Sequence, residues 1–149
     1  MKLDTKHFGE IEIGEEKIIS FPEGIPGFED QKRFVIINNH DSENPFGWLQ
    51  AVDNGSLSFV VINPFLVKPD YDFVLSQSVE EKLKIRNEKD VAVYTIAVIP
   101  EDIKKITINL SGPVIINVKE KLGKQIILND EKYSTKYYIF GQGQNCRGE

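Results

Sequence analysis

The feature that most restricts this chain is a succession of short runs rich in Val, Ile, Phe and Tyr, each closed off by turn-forming residues. They occupy residues 10–13, 17–21, 33–37, 47–52, 57–62, 91–98, 106–110, 114–118, 125–128 and 136–140. In the first, Glu10, Ile11, Glu12 and Ile13 alternate charge with apolar side chain, which is the period of a strand with one buried face. Both glutamates then point to solvent. Asp53-Asn54-Gly55-Ser56, between two apolar runs, is a hairpin signal, and Ser111-Gly112-Pro113 and Leu122-Gly123-Lys124 read as further turns.

One segment reads differently. Ser78 with Glu81 three residues on fits a capping box, and Val79, Leu83 and Ile85 supply a short apolar stripe among charged residues, so one short helix is expected there. Pro100-Glu101-Asp102-Ile103 suits a single helical turn. About ten short strands with so little helix predict an all-β, single-domain antiparallel β-barrel, a closed form that leaves no exposed edges; a sandwich is the alternative topology. The barrel is expected to take up residues 1–140. Residues 141–149 are polar, glycine-rich and aperiodic, and are expected to form a disordered tail.

At 149 residues, with 40% hydrophobic and 28% charged side chains, the chain can bury a core without covalent staples. Cys146 is the single cysteine, so neither a disulfide framework nor a cysteine zinc site is possible. The N-terminal residues lack an apolar signal core, and the longest apolar stretch is far short of the roughly 20 residues a membrane helix needs. A cytoplasmic monomer is the expectation. The net charge of -5 disfavours direct nucleic-acid binding, which draws its affinity from Lys and Arg displacing counterions. Between residues 10 and 30 stand Glu10, Glu12, Glu15, Glu16, Glu23, Glu29 and Asp30 against Lys17 alone. A basic protein is the better partner for such a segment.

Catalytic groups are sparse. His7 and His40 are the only histidines, neither spaced with another ligand nor set in a nucleophile motif, and no metal or cofactor is expected. The chain reads as a non-enzyme. Glu15 with Glu16 and Asp70 with Asp72 read as solvated surface, because paired catalytic carboxylates need burial to separate their pKa values. Phe46, Trp48, Tyr71 and Phe73 could form a base-stacking platform, which keeps open an oligonucleotide-binding β-barrel acting directly on RNA, although core packing accounts for the same residues.

Five segments then stand in a fixed order: Phe21-Pro22-Glu23-Gly24-Ile25-Pro26-Gly27-Phe28-Glu29; Pro45-Phe46-Gly47-Trp48-Leu49-Gln50-Ala51-Val52-Asp53; Phe59-Val60-Val61-Ile62-Asn63-Pro64 with Tyr71 downstream; Asn109-Leu110-Ser111-Gly112-Pro113-Val114-Ile115-Ile116-Asn117; and Gly123-Lys124-Gln125-Ile126-Ile127-Leu128. Together they resemble the flagellar assembly factor FliW family from about Ile11 to Tyr138. Gly112 and Asn63 are small local departures in turn-like positions.

The resemblance implies a β-barrel that binds flagellin and the translational regulator CsrA. In the implied partner switch, accumulating flagellin occupies the protein and leaves CsrA free to repress flagellin mRNA, whereas flagellin export frees the protein to sequester CsrA. The acidic segment fits such a partner, since an RNA-binding regulator carries basic surface. Glu10, Glu12, Glu15 and Glu16 are therefore the expected CsrA contacts. For flagellin, an aromatic edge of Phe65, Asp70, Tyr71 and Phe73 is expected, next to prolines that resist ladder pairing. The Gly24 to Glu29 turn is expected to be structural, with Phe28 plugging one barrel end, and partner contact is the alternative role.

Overall fold

A computed structural model describes residues 1–6, 8–38 and 44–140. The expected tail at 141–149, with Cys146, and both histidines lie outside those residues. Apolar and polar residues alternate where one face is solvated, as at Lys2–Thr5, and short runs rich in Val, Ile, Phe and Tyr are continuously buried where both faces are covered, as at Val114–Asn117. Such segments supply most of the eleven strands among the described residues. They are β1 (Lys2–Thr5), β2 (Gly9–Glu12), β3 (Ile19–Ser20), β4 (Arg33–Asn38), β5 (Gly47–Ala51), β6 (Ser58–Ile62), β7 (Val91–Val98), β8 (Thr107–Ile108), β9 (Val114–Asn117), β10 (Leu122–Gln125) and β11 (Tyr137–Tyr138).

Seven strands close a barrel in the order β7-β6-β5-β4-β3-β10-β9, with β9 returning to β7. All its junctions are antiparallel except β3 with β10, which is parallel and pairs Ser20 with Leu122. One edge of β7 serves two partners, β9 along Val91 to Tyr94 and β8 at Ala97 and Val98. Phe34, Leu49, Ala51, Val61, Val114 and Ile116 fill the interior, and Phe21 and Ile25 close one end. Phe28 stands edge-on to Phe59 with ring centroids 5.4 Å apart and keeps 40% of its surface exposed, so the turn caps that end with Ile25 inside and Phe28 at the rim.

The outward apolar residues of the barrel need covers, and three separate pieces of chain supply them. The two-stranded ribbon β1-β2 lays Leu3 and Ile11 over Val35, Ile37 and Val52. Residues 64–75 pack Val67, Tyr71 and Phe73 with Ile62, Ala97 and Ile108. A single helix, α1 (Gln77–Lys82), sets Val79 and Leu83 with Ile115 and Ile126.

Several local expectations shift. β1 is an additional strand, Leu3 and Thr5 buried and Lys2 and Asp4 exposed. The cap of α1 is Ser76, which is extended and whose side chain accepts from the Val79 amide at 3.2 Å, while Ser78 lies inside the helix. A 3-10 turn forms at Ile103–Lys105 rather than at 100–103, because Asp102 accepts from the Lys104 amide. Leu122, Gly123 and Lys124 are strand, not turn. The chain reverses earlier, where Asn117 accepts from the amides of Lys119 and Glu120 at 3.0 and 3.1 Å.

Asn117 also fastens α1 to the barrel. It is fully buried, and its amide donates to the carbonyls of Leu83 at 2.8 Å and Lys84 at 3.1 Å, the helix end that has no intrahelical donors left. Asn117→Ala should cost about 1–3 kcal/mol in urea unfolding, since those acceptors and two turn amides lose their partner together. Retention of wild-type stability would show that water replaces the amide.

Candidate docking surfaces

The local chemistry that builds the acidic surface is the strand period. On β2, Ile11 turns inward, so Glu10 and Glu12 turn out and are exposed. Glu15 and Glu16 follow on an exposed 3-10 turn, Glu15–Lys17. The structure therefore brings all four predicted carboxylates to one ribbon and the turn that follows it. None has an ion pair among the described residues.

Asp4 adds a fifth acid that sequence reasoning missed. It lies directly opposite Glu10, an unfavourable like-charge pairing, while Lys2 lies opposite Glu12. The signal was present in Lys2-Leu3-Asp4-Thr5, which alternates like 10–13. Beside this face Arg33 is already committed: its Nε donates to Asp53 Oδ2 at 3.0 Å and its Nη2 to Oδ1 at 2.5 Å. That bidentate contact holds the Asp53 carboxyl below its usual range.

Two other acids of the segment point elsewhere. Glu23 bridges Lys124 at 2.7 Å and Lys82 at 3.3 Å, tying the turn to β10 and α1, and the Lys124 hydrogen bond, followed by that of Lys82, lowers its pKa. Glu29 accepts from the Gly27 amide at 3.1 Å. The acidic ribbon is held in place by the loop between β5 and β6, where the Lys6 amide donates to the Gly55 carbonyl at 2.9 Å. A Cβ at Gly55 would overlap the Asp4 carbonyl oxygen, so only glycine allows the ribbon this close. The buried Gln50 amide donates to the carbonyls of Ala51, Gly55 and Leu57 and shapes that same loop.

The predicted aromatic edge divides. Phe65 sits on a 3-10 turn, Pro64–Leu66, whose first amide is capped by Asn63, and it is 40% exposed. Asp70 is exposed and pairs with Lys68 at 3.1 Å, which lowers its pKa. Phe73 is half-buried.

Tyr71 is not at the surface. It is 3% exposed, its ring lies among Phe65, Phe73 and Tyr133, and its hydroxyl donates to the Leu110 carbonyl at 2.6 Å. Burial raises its pKa. The expectation of Tyr71 as an accessible anchor is therefore corrected: a phenol with a buried carbonyl to satisfy belongs to the outer core. Leu66, 62% exposed, stands beside Phe65 instead and was not singled out from sequence. A base-stacking platform is not assembled either, since Tyr71 is buried and Trp48 stands edge-on to Phe8 at 5.4 Å.

Among the described residues there is no cluster of His, Cys, Asp or Glu able to hold a metal, and no helix long and apolar enough to cross a membrane.

The family model described as FliW protein matches residues 2–139. A flagellar assembly factor FliW of Alkaliphilus metalliredigens is 56% identical over 99% of this chain and 91% of its own length. One from Caldicellulosiruptor saccharolyticus is 51% identical over 91% of this chain and 88% of its own length. A crystal structure of the flagellar assembly factor FliW superposes with a TM-score of 0.88 at 42% identity, covering 95% of this chain and 98% of that one. With the same barrel, the same ordered segments and this depth of identity, the chain belongs to the FliW family of flagellar assembly factors.

Proposed function

We propose that this flagellar assembly factor acts in the cytoplasm as a monomeric, non-catalytic partner switch that binds flagellin and sequesters CsrA, relieving repression of flagellin mRNA translation. The observation that supports it best is the exposed row of Glu10, Glu12, Glu15 and Glu16, without an ion pair among the described residues and joined by Asp4. Placing Asp4 opposite Glu10 costs a few tenths of a kcal/mol or more, a cost recovered when a basic surface docks. CsrA, which must carry such a surface to hold RNA, fits it.

Electrostatic complementarity acts mainly on the association rate. Glu10→Lys combined with Glu12→Lys should slow CsrA association roughly 10-fold at low salt and flatten its salt dependence, with the melting temperature unchanged. Biosensor kinetics identical to wild type would remove the acidic ribbon from the interface.

Flagellin is assigned to the other cover, where Phe65 and Leu66 stand exposed above the Tyr71 cluster. An apolar anchor on a rigid aromatic base is the usual form of an interface hot spot. Phe65→Ala should weaken flagellin binding by about 1–2 kcal/mol by calorimetry while leaving CsrA binding intact. Calorimetric titration with each partner, repeated in the presence of the other, tests the switch itself: mutual exclusion is expected, and independent binding of both would overturn it.

A further inference from the structure

Near α1 the outer face of the barrel is incompletely covered. A groove of about 580 Å³ lies there, with the partly buried Phe73, Leu75, Ile85 and Val93 as its apolar floor and walls over the fully buried Ile115. Two stretches of main chain border it without partners. Among the described residues, Phe73, Val74 and Leu75 make no main-chain hydrogen bond, and Val74 is 89% exposed.

The second stretch follows from the register of β7. Val118 donates to the Asp90 carbonyl, so in this antiparallel ladder Ala92 and Tyr94 direct their main-chain groups to β9, and Val93 directs its own to the opposite edge. On that edge β6 has already ended at Ile62, opposite Thr95. The register brings Pro64, the start of the 3-10 turn, opposite Val93, and neither that turn nor a strand supplies a main-chain hydrogen bond to the Val93 amide and carbonyl among the described residues. The groove's charged rim is Asp72, Glu80 and Glu88 against Arg86, an excess of negative charge.

We infer that this groove receives an extended segment of a partner protein by strand addition, with alternate aliphatic side chains on the apolar floor and a lysine or arginine at the acidic rim. Unpaired main-chain groups supply the affinity of such docking, and pockets for alternate side chains supply its selectivity. The inference rests on the reading that the surface beside Phe65 docks flagellin, since Phe65 also lines this groove. It adds that the docking segment is extended and basic.

The test uses the full chain, isotopically labelled and saturated with purified flagellin as judged by calorimetry, with amide hydrogen exchange followed residue by residue. Exchange at Val93 and across Phe73, Val74 and Leu75 should slow at least 10-fold on binding. Glu80→Lys together with Glu88→Lys should raise the Kd about 10-fold; both positions are exposed, so the fold is kept. Binding that leaves these four amides unchanged, or an unaltered Kd in the double variant, overturns strand addition and leaves the flagellin reading standing. Absence of any binding overturns both.

Discussion

Gly123→Val should leave the protein unfolded or destabilised by more than about 3 kcal/mol, and even Gly123→Ala should cost about 2 kcal/mol. Gly123 lies within β10, and a Cβ there would come within 2.5 Å of the Phe21 ring. Phe21 is fully buried and stands edge-on to Phe34 with centroids 5.1 Å apart, so its ring has no open space to enter. The closure of β10 onto β3 thus depends on the absence of a side chain at one position. Chemical denaturation of Gly123→Ala, Phe21→Leu and the double variant checks the mechanism. Shortening Phe21 makes room, so the double variant should lose less stability than the sum of the two single changes, with an interaction of at least 0.5 kcal/mol. Strict additivity would mean that the two residues do not compete for the same space.

Tyr71→Ala should destabilise the fold by about 3–5 kcal/mol, and Tyr71→Phe by about 1–2 kcal/mol. The first change empties the centre of a cluster in which Tyr133 lies 4.7 Å away and Phe73 5.3 Å away. The second removes only the hydroxyl that satisfies the buried Leu110 carbonyl at 2.6 Å. Urea unfolding separates the two contributions, and a Tyr71→Ala variant of wild-type stability would return this residue to the surface role expected from sequence.

A pH dependence accompanies it. Burial raises the Tyr71 phenol above 10.0, and Tyr94 is raised by the same cause. Their contribution to stability is fully present below the unfolded-state value and is lost as pH rises through the folded-state values. Unfolding free energy should therefore fall above about pH 10, less steeply in Tyr71→Phe.

The difference between these residues and the acidic ribbon explains how much was legible beforehand. Glu10 and Glu12 were read correctly as displayed because their neighbours in the chain, Ile11 and Ile13, carry the whole signal of a half-buried strand. Tyr71 was misread because its surroundings are distant in sequence: the hydroxyl partner Leu110 and the ring partner Tyr133 lie far along the chain. Prolines at 64 and 69 announce irregular backbone, but not whether that backbone faces solvent or lies over a sheet.

The reversal between β9 and β10 shows the same limit. Gly123 looks like a turn residue when only its neighbours are considered, yet the turn is set by the side chain of Asn117 and the glycine is required by Phe21, over a hundred residues away. Sequence by itself determined the all-β class, the hairpin at Asp53 to Ser56, the display of the four glutamates and the resemblance that named the family. These rest on local periodicity, turn chemistry and ordered motifs. Only the tertiary structure decided the seven-strand closure with its single parallel junction, the three outer covers, the burial of Tyr71 and the groove beside α1. Each of those is a contact between segments remote in the chain, fixed by packing and main-chain pairing that no local pattern encodes.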